Sequence, residues 1–416
     1  MTALAPPRPP RILPTLRARL RHDRRWRGAL WTLAPLLLAA MLLAVGYLLR
    51  APGTSHPDDY QSYGFRTLSY SDIIWLYLRD NLARHPRPYL DYRLEYPPLT
   101  GALSYALGFA PSLRAYFALA YVVLAASGLA AVVALGRLPG VNRWYLAATP
   151  ALILYTGLNW DLAAIAMTAL ALVAYTRGRD GWGTLALLAA VWLKFFPLVF
   201  LAAILVERLR ERRFRACATI AGSFALGSVA INGPLARANL LGWAAFFTSN
   251  TGRPAEPSLW TFIPSLTIAQ INGASLALLA LGGLLLTGCA LRARQPTMLA
   301  YGATLLLWWL FVNKVYSPQY ALWVYLALAL LAVPRDFWRG FVLFDLAYYF
   351  ASFQILFTIA QGHSELVAWQ ARYLLYPLVV VRLVLLAVFV GWGTATLLRH
   401  RAPPREPTST PAAAAP

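Results

Sequence analysis

Charge and cysteine are both scarce in this sequence, and each scarcity excludes a class of protein. Only 13% of the 416 residues are charged and 59% are hydrophobic, whereas about 25% of a typical soluble domain is charged. The two cysteines, Cys217 and Cys289, stand far apart in apolar runs, where cysteine behaves as a small hydrophobic residue. That spacing indicates neither a disulfide framework nor a cysteine-based metal cluster.

Lysine is as scarce as cysteine. Of the 37 basic residues, only Lys194 and Lys314 are lysines, in the apolar stretches KFFP and NKVYSP. One interpretation is that each ammonium group reaches the membrane interface along its alkyl chain. The other is that both bind the same phosphate group, because a compact ammonium is a good point-charge partner for phosphate.

Long apolar runs make up much of the rest. Residues 29–49 and 115–136 contain no charged residue, and each can cross the roughly 20-residue apolar thickness of a bilayer. A backbone inside a bilayer must satisfy its own hydrogen bonds, so such runs predict α-helices. We therefore predict an all-α polytopic membrane protein whose transmembrane domain is residues 29–398.

The net charge of +21 is distributed in the manner of a membrane protein, and nucleic acid is not an expected partner. Residues 1–28 form a basic tail before the first apolar run, which indicates the cytoplasmic side and suits anionic lipid headgroups. Arg-rich connectors recur at 137–143, 177–179, 207–215, 292–294, 335–339 and 399–405. The positive-inside rule places these connectors and both termini in the cytoplasm.

An even number of crossings must then separate each connector from the next. Residues 181–206 satisfy this as two half-length segments that turn at 194–197, and breaks of this kind occur only where they are buried or line a wet cavity. Residues 216–291 are expected to form two spans around a polar loop at 236–256. Residues 97–111 remain as an interfacial or re-entrant helix. We expect about 12 crossings or half-crossings in all, and a disordered tail at 399–416.

The polar residues within the apolar region fall on the opposite, extracytoplasmic side. They are Asp72, Glu95, Asn159, Asp161, Lys194, Asn313, Lys314, Gln319, His363, Glu365 and Arg372. Ionisable residues near the bilayer interior are costly and are functional candidates by default, so their convergence predicts one extracytoplasmic site. His363 and Glu365, in QGHSEL, are expected to belong to a solvated loop instead.

The first outer loop, residues 51–112, carries Asp72 at the start of DIIWLYLRDNLAR, the pattern of an amphipathic helix on a membrane surface. The local pattern favours Asp72 as a helix N-cap, or as part of a capping box that starts at Ser69. The alternative is a general base that accepts a proton from a sugar hydroxyl. Asp161 is similarly ambiguous. It is either the N-cap of a helix beginning at Leu162, or a residue that holds acceptor hydroxyls or supports the Asp72 loop.

Four motifs in order, YSDIIWLYLRDNL with YLDYRLEYPPLTG, LYTGLNWDLAAIA, WLKFFPL and NKVYSPQYALW, resemble the GT-C superfamily of membrane glycosyltransferases. The chain is most similar to family 87, the polyprenyl-phosphate-mannose-dependent mannosyltransferases of actinobacteria, over about residues 30–390. The resemblance implies a GT-C-like helical bundle with juxtamembrane helices in a long first outer loop. It also implies inverting transfer from a lipid-phosphate sugar, with no obligatory metal and no other cofactor.

Carried onto this sequence, the resemblance implies that Asp72 is the catalytic base or positions it, and it makes Glu95 a weaker alternative base. Residues of two helix-end motifs are then expected to bind substrate, namely Asn159, Asp161, Gln319 and Tyr320. The donor phosphate is expected to meet Lys194, Lys314 and Arg372.

The expected enzyme transfers a sugar from a polyprenyl-phosphate donor to a glycolipid or glycan acceptor on the outer face of the cytoplasmic membrane. Mannose is the first candidate for that sugar, and arabinofuranose or another sugar is the alternative. Asp58 and Asp59 lie upstream of Asp72, and their presence in the site would admit a divalent ion. A lipid or sugar transporter is the alternative function, because broken helices with polar hinges are also transporter architecture. A structural subunit of an envelope complex is a third, although it leaves the two lysines unexplained.

Overall fold

The computed structural model describes residues 33–293 and 296–399. The described residues form helices joined by loops, the longest of them at 80–97 and 253–267, and no strand is found among them. The predicted all-α class is therefore confirmed for this part of the chain. The basic tail 1–28 and, apart from residue 399, the predicted disordered tail lie outside the described residues.

The first half of the bundle begins with a membrane-length helix and continues through the outer loop. Its helices are α1 Leu33–Ser55, α2 Tyr60–Arg66, α3 Asp72–Arg79, α4 Pro98–Leu107, α5 Leu113–Leu135, α6 Trp144–Ala147, α7 Ala151–Tyr155, α8 Asp161–Thr176 and α9 Asp180–Leu193. The second half contains α10 Leu198–Arg210, α11 Phe214–Ala238, α12 Leu240–Gly252, α13 Ile268–Leu291, α14 Met298–Val312, α15 Ala321–Leu331, α16 Arg335–Ala360, α17 Ser364–Gln370 and α18 Tyr376–Arg399.

Six spans in the described part are long and apolar enough to cross a membrane, namely α1, α5, α11, α13, α16 and the continuous segment from α17 through α18. They identify the chain as a helical membrane protein. Of the shorter apolar helices, α8, α9, α14 and α15 are too short to meet the same criterion. The expected total of about 12 crossings stays a prediction.

The shortest apolar helices lie deepest in the bundle. Every residue of α15 is buried, whereas the most apolar stretches of α11 and α13 are only 11% buried and face outward. Helix ends within a bilayer need polar partners that lipid cannot supply, so short helices require protein around them. The long helices therefore form the outer layer around a core of short ones.

The predicted break at residues 194–197 is confirmed, since α9 ends at Leu193 and α10 begins at Leu198. Arg208 near the end of α10 returns to the start of α9, where its guanidinium donates to the Asp180 carboxylate at 2.6 Å. The two helices thus form a hairpin. Residues 236–256 were predicted to be a polar loop, and this was wrong, because they contain the 13-residue helix α12.

The Arg-rich connectors gather at one end of the bundle, which we call the Arg-rich end. The Glu207 carboxylate accepts from the Thr297 amide at 2.9 Å and so joins the connectors after α10 and α13. The Tyr145 hydroxyl donates to the Val333 carbonyl at 2.6 Å and joins the connectors before α6 and α16. The helix breaks with polar residues therefore lie at the opposite end.

Candidate functional site

A cavity of about 710 Å³ occupies the end of the bundle opposite the Arg-rich end. Its walls come from α3, the loop before α4, the α7–α8 turn, the α9–α10 break, the end of α12 and the α14–α15 break. Seven predicted site residues line it, namely Asp72, Glu95, Asn159, Lys194, Lys314, Gln319 and Tyr320. The four motifs of the sequence thus meet in one place.

The N-cap of α3 is Ser71, so both capping roles considered for Asp72 were wrong. The Ser71 hydroxyl accepts from the Ile74 amide at 3.4 Å and donates to the Gly157 carbonyl at 2.5 Å. A hydroxyl can accept and donate at once, whereas a carboxylate only accepts. Asp72 is the first residue of α3, and its carboxylate is left to face the cavity.

The α7–α8 turn fixes the position of Asp72. The Asp72 amide donates to the Leu158 carbonyl at 2.9 Å, next to the contact between Ser71 and Gly157. Arg50, at the end of α1, donates to the last carbonyls of α7, including that of Ile153 at 2.8 Å. A side chain at Gly157 would place its Cβ 2.8 Å from the Arg50 Cδ, so this position requires glycine.

Asn159 and Tyr96 hold the Asp72 carboxylate. The Asn159 Nδ2 donates to the Asp72 Oδ2 at 2.7 Å and to the Tyr96 hydroxyl oxygen at 2.8 Å. Tyr96 donates to the same carboxylate oxygen at 3.5 Å. Burial raises the pKa of Asp72 above its ordinary value, while the positive charge of Lys194 and the hydrogen bond from Asn159 oppose that rise. A carboxylate of raised pKa is a stronger proton acceptor, which suits a general base.

Asp161 is the first residue of α8 and is fully buried. Its carboxylate accepts from the Trp323 indole at 2.7 Å and lies 3.5 Å from the Lys194 ammonium. The N-cap position of α8 belongs to Trp160, so the prediction that Asp161 caps a helix from Leu162 was wrong. A carboxylate at the first turn still complements the helix dipole.

Lys194 is engaged with Asp161 and with the ring of Tyr96. Its ammonium lies 5.0 Å from the Tyr96 ring centroid in addition to the contact with Asp161. The ammonium thus stands between the buried carboxylate behind the wall and the carboxylate of Asp72, whose pKa it lowers. Its positive charge is balanced within the protein.

Lys314 has a different environment. Its ammonium donates to the carbonyls of Thr251 at 3.0 Å and Arg253 at 2.7 Å, at the C-terminal end of α12. Among the described residues it makes no ion pair, and burial together with the charge of Arg253 lowers its pKa. An uncompensated cation on a cavity wall is a favourable place for an anionic group.

Aromatic rings form the remaining walls. Trp323 stacks between Tyr320 at 3.9 Å and Phe196 at 4.3 Å, and Trp309 continues the stack at 6.0 Å. A second, wholly apolar flank is made by Phe195, Phe246 and Phe247. The sequence reasoning did not select these rings, although Phe196 and Trp323 lie within the motifs KFFP and SPQYALW.

Glu95 lies at the mouth of the cavity and is held by an arginine. The Arg79 guanidinium donates to both of its carboxylate oxygens, at 2.6 and 3.0 Å, and also contacts Asp80 at 2.7 Å. About a third of each side chain of the Arg79–Glu95 pair is exposed, at 34% and 38%. Glu95 is therefore reachable from water and fixed in orientation.

Some predicted candidates lie outside the cavity lining. Arg372 is exposed in a π-helical turn, with its guanidinium 5.5 Å from the Tyr373 ring. Four further residues considered from the sequence are also exposed and outside the lining, namely Asp58, Asp59, His363 and Glu365. The sequence reasoning missed Arg382, a buried arginine of α18 whose guanidinium lies 3.9 Å from the Tyr316 ring centroid.

Potential metal ligands do not cluster in the described residues, where no group of three or more His, Cys, Asp or Glu side chains could hold an ion. No known family, curated protein or solved structure matches this chain.

Proposed function

We propose that this protein is an inverting, GT-C-like membrane glycosyltransferase that transfers a sugar, with mannose the first candidate, from a polyprenyl-phosphate donor to a glycan or glycolipid acceptor. One observation carries the proposal. A carboxylate held by hydrogen bonds, Asp72, and an ammonium with no carboxylate partner in the described part of the chain, Lys314, face the same cavity. Sugar transfer from a phosphate needs both groups, a base for the acceptor and a cation for the leaving phosphate.

Asp72 acts as the general base in this proposal. The acceptor hydroxyl oxygen attacks the anomeric carbon of the donor while its proton passes to the carboxylate. The bond between that carbon and the phosphate oxygen breaks on the opposite face of the sugar, so the anomeric configuration inverts. The hydrogen bond from Asn159 fixes the carboxylate in place. Positioned bases of this type contribute roughly 10²–10⁴-fold to the rate.

Lys314, with Arg253 beside it, receives the phosphate. The leaving phosphate gains negative charge as its bond to the sugar breaks, so its attraction to the ammonium grows towards the transition state. At 4 Å and an effective dielectric constant of 20, such a pair is worth about 4 kcal/mol before desolvation. Lys194 has Asp161 as its partner, so we assign it to the support of Asp72 and not to the phosphate. Arg372 has no role in this proposal.

The aromatic walls supply the other contacts of a lipid-linked sugar donor. Tyr320 and Trp309, the partly exposed rings that stack on the buried Trp323, offer aromatic surface to a sugar. The apolar flank that contains Phe195 and Phe246 suits the first isoprene units of a lipid chain. A donor bound in this way keeps its tail in the membrane and its sugar in the cavity.

In the proposed orientation the Arg-rich end is cytoplasmic and the cavity is extracytoplasmic, as the positive-inside rule requires. The expected twelve crossings would consist of the six long spans and six shorter ones, namely α6 with α7, α8, α9, α10, α14 and α15. The outer-loop helices α2, α3 and α4 then lie at the outer membrane surface.

The test is an assay of the detergent-solubilised protein with radiolabelled polyprenyl-phosphate mannose and native membrane lipids. Detergent removes compartments, so a transporter would form no new glycosidic bond there. We expect a labelled product with the unchanged chain, and a loss of at least about 10²-fold in Asp72→Asn with donor binding retained. Lys314→Met is expected to raise the KM for the donor about tenfold or more, and the KM for the acceptor much less.

The matched control is Asp59→Asn, which removes the same charge from an exposed position of the same outer loop. It should behave as the unchanged chain does. Full activity of Asp72→Asn would remove Asp72 from the mechanism, and equal effects of Lys314→Met on both substrates would remove Lys314 from the phosphate site.

A further inference from the structure

One face of α3 lines the cavity and the opposite face is buried against α5. The lining residues are Asp72, Trp75, Leu76 and Arg79, spaced as one face of a helix requires. On the other face, the Tyr77 ring packs 4.7 Å from the Tyr116 ring of α5. With a rise of about 1.5 Å per residue, the lining face carries Asp72 and Arg79 about 10 Å apart. Trp75 lies between them on that face.

The mouth of the cavity carries an excess of negative charge. One guanidinium, that of Arg79, faces the two carboxylates of Glu95 and Asp80. The carboxylate of Asp72 adds a further negative charge on the same face of α3. Another negatively charged group brought to this place would meet repulsion from these three carboxylates and attraction from Arg79. The charge of Lys194 beside Asp72 is already balanced by Asp161. An uncharged group rich in hydroxyls would meet fixed hydrogen-bond acceptors and a fixed donor.

The opposite end of the cavity has the reverse character. Lys314 makes no ion pair there among the described residues, while the neighbouring Arg253 is paired with Glu256, so the unbalanced positive charge at this end is that of Lys314. The cavity is therefore polarised, with its cationic end at α12 and its anionic end at α3. The cavity therefore suits an anionic substrate at the α12 end and an uncharged substrate at the α3 end.

We propose that Trp75, Arg79 and Glu95 form a subsite for an uncharged sugar ring of the acceptor, and that their surroundings exclude acceptors whose reacting sugar carries phosphate, sulfate or carboxylate. This inference rests on the proposed glycosyl transfer. The ring of Trp75 packs against the sugar, Glu95 accepts hydrogen bonds from its hydroxyls and Arg79 donates to them. Glu95 is thereby a binding residue for the acceptor, and Asp72 alone takes the proton of the attacking hydroxyl.

The kinetic test compares octyl mannopyranoside with its 6-phosphate as acceptors, at a saturating concentration of polyprenyl-phosphate mannose. We expect the kcat/KM of the unchanged chain to be at least about tenfold lower for the phosphorylated acceptor, from charge repulsion at the mouth. Glu95→Gln should raise the KM for the neutral acceptor and leave the KM for the donor unchanged. It should also reduce the difference in kcat/KM between the neutral and the phosphorylated acceptor.

Asp91→Asn is the matched control. Asp91 pairs with Arg87 at 2.9 Å in the same loop and outside the cavity lining, so the substitution removes an equal charge from an equivalent ion pair. It should leave both acceptor KM values unchanged. If Asp91→Asn also reduced the difference in kcat/KM between the two acceptors, the effect would come from the overall charge of the loop, and the proposed subsite would be refuted.

A binding measurement separates this inference from the proposed function. Radiolabelled octyl mannopyranoside is titrated without donor, and its Kd should rise several-fold in Glu95→Gln and Trp75→Ala but little in Trp75→Phe, which keeps an aromatic ring. If these binding changes were observed but the protein transferred no sugar, the proposed glycosyltransferase activity would be refuted and the sugar-binding subsite would stand. If the protein transferred sugar with equal kcat/KM for both acceptors, the subsite would be refuted and the transferase activity would stand. The same conclusion would follow if Glu95→Gln had the kinetic constants of the unchanged chain.

Discussion

Lys194 and Lys314 carry the same charge, but their partners give that charge different uses. The Lys194 ammonium balances the buried Asp161 carboxylate, which would otherwise be an uncompensated ion in the bundle core. Among the residues that the structure describes, the Lys314 ammonium has only carbonyl oxygens as hydrogen-bond partners, so its charge is available to a substrate. The difference lies in the side chains that packing brings to each ammonium, and the residue type is the same.

The pH dependence of transfer belongs to this residue scale. A general base must be ionised, so activity should fall as the pH falls through the pKa of Asp72, which burial raises above its ordinary value. The hydrogen bond from Asn159 favours the carboxylate form and lowers that pKa. Asn159→Ala should therefore move the acidic limb of kcat/KM to higher pH. The measurement is kcat/KM against pH in detergent.

Asn250→Ala is the control for that shift. Asn250 also lines the cavity, but its side-chain amide donates to the Phe246 carbonyl at 2.6 Å and not to Asp72. Its pH profile should overlay that of the unchanged chain. An acidic limb in the same place for Asn159→Ala would mean that another group sets the profile.

Single polar residues in apolar surroundings were predictable, and their partners were not. Asp72, Asn159 and Lys314 stood out because ionisable and amide groups are rare in spans of this kind. Tyr96 did not stand out, since one tyrosine among many carries no signal, and its contact with Asp72 joins residues 24 positions apart. Arg382 was missed because its partners come from distant segments, such as the Pro257 carbonyl.

At the scale of elements, α12 is a strap across one side of the cavity, attached at both ends. At its N-terminal end Gly242 lies against the Tyr89 carbonyl of the outer loop, where a Cβ would come within 1.8 Å of that oxygen. At its C-terminal end the carbonyls of Thr251 and Arg253 accept from Lys314. The strap therefore links the outer loop with the α14–α15 break.

Gly242→Ala should displace α12, because the added methyl group collides with backbone and the backbone must move. We expect a fall of several degrees in the midpoint of thermal unfolding and a higher KM for the donor, since the cationic end of the cavity moves with the strap. Gly252→Ala is the control in the same helix, because a Cβ there meets nothing within 4 Å. Equal stability of the two variants would contradict the close contact.

A helix or helix break was predictable from the sequence where one strong signal determined its position. Charge parity between Arg-rich connectors predicted the break at 194–197, and the amphipathic pattern predicted a helix from Asp72. The helix α12 was not predicted because its last turn, around Thr251, reads as a polar loop. Its N-cap signal was present in Asn239, whose side chain accepts from the Gly242 amide at 2.9 Å.

At the scale of the whole molecule, the two ends of the bundle differ in charge and should lie on opposite sides of a membrane. Arg177 is exposed at the Arg-rich end, and Ser364 is exposed at the other end, where α17 begins. In a chain with Cys217→Ala and Cys289→Ala, we expect a membrane-impermeant maleimide to label Ser364→Cys in intact cells. Arg177→Cys should be labelled only after permeabilisation, and the reverse pattern would place the cavity in the cytoplasm.

The apolar composition was sufficient to predict a helical membrane protein, because continuous apolar runs of about 20 residues satisfy their backbone within a bilayer as helices. It was not sufficient to predict which helices form the core. The burial of α15 and the outward position of α11 follow from packing between segments distant in sequence.

The attachment of α12 through Lys314 has a consequence for substrate binding. An ammonium group has three protons to donate, and two are already given to the carbonyls of Thr251 and Arg253. A phosphate that accepts more than the one remaining N–H competes with these two carbonyls, which hold the end of the strap. Phosphate binding and the mobility of the strap are therefore thermodynamically linked. By reciprocity, any change that frees the end of the strap should tighten the hold on the anion, and an arriving anion should loosen the strap.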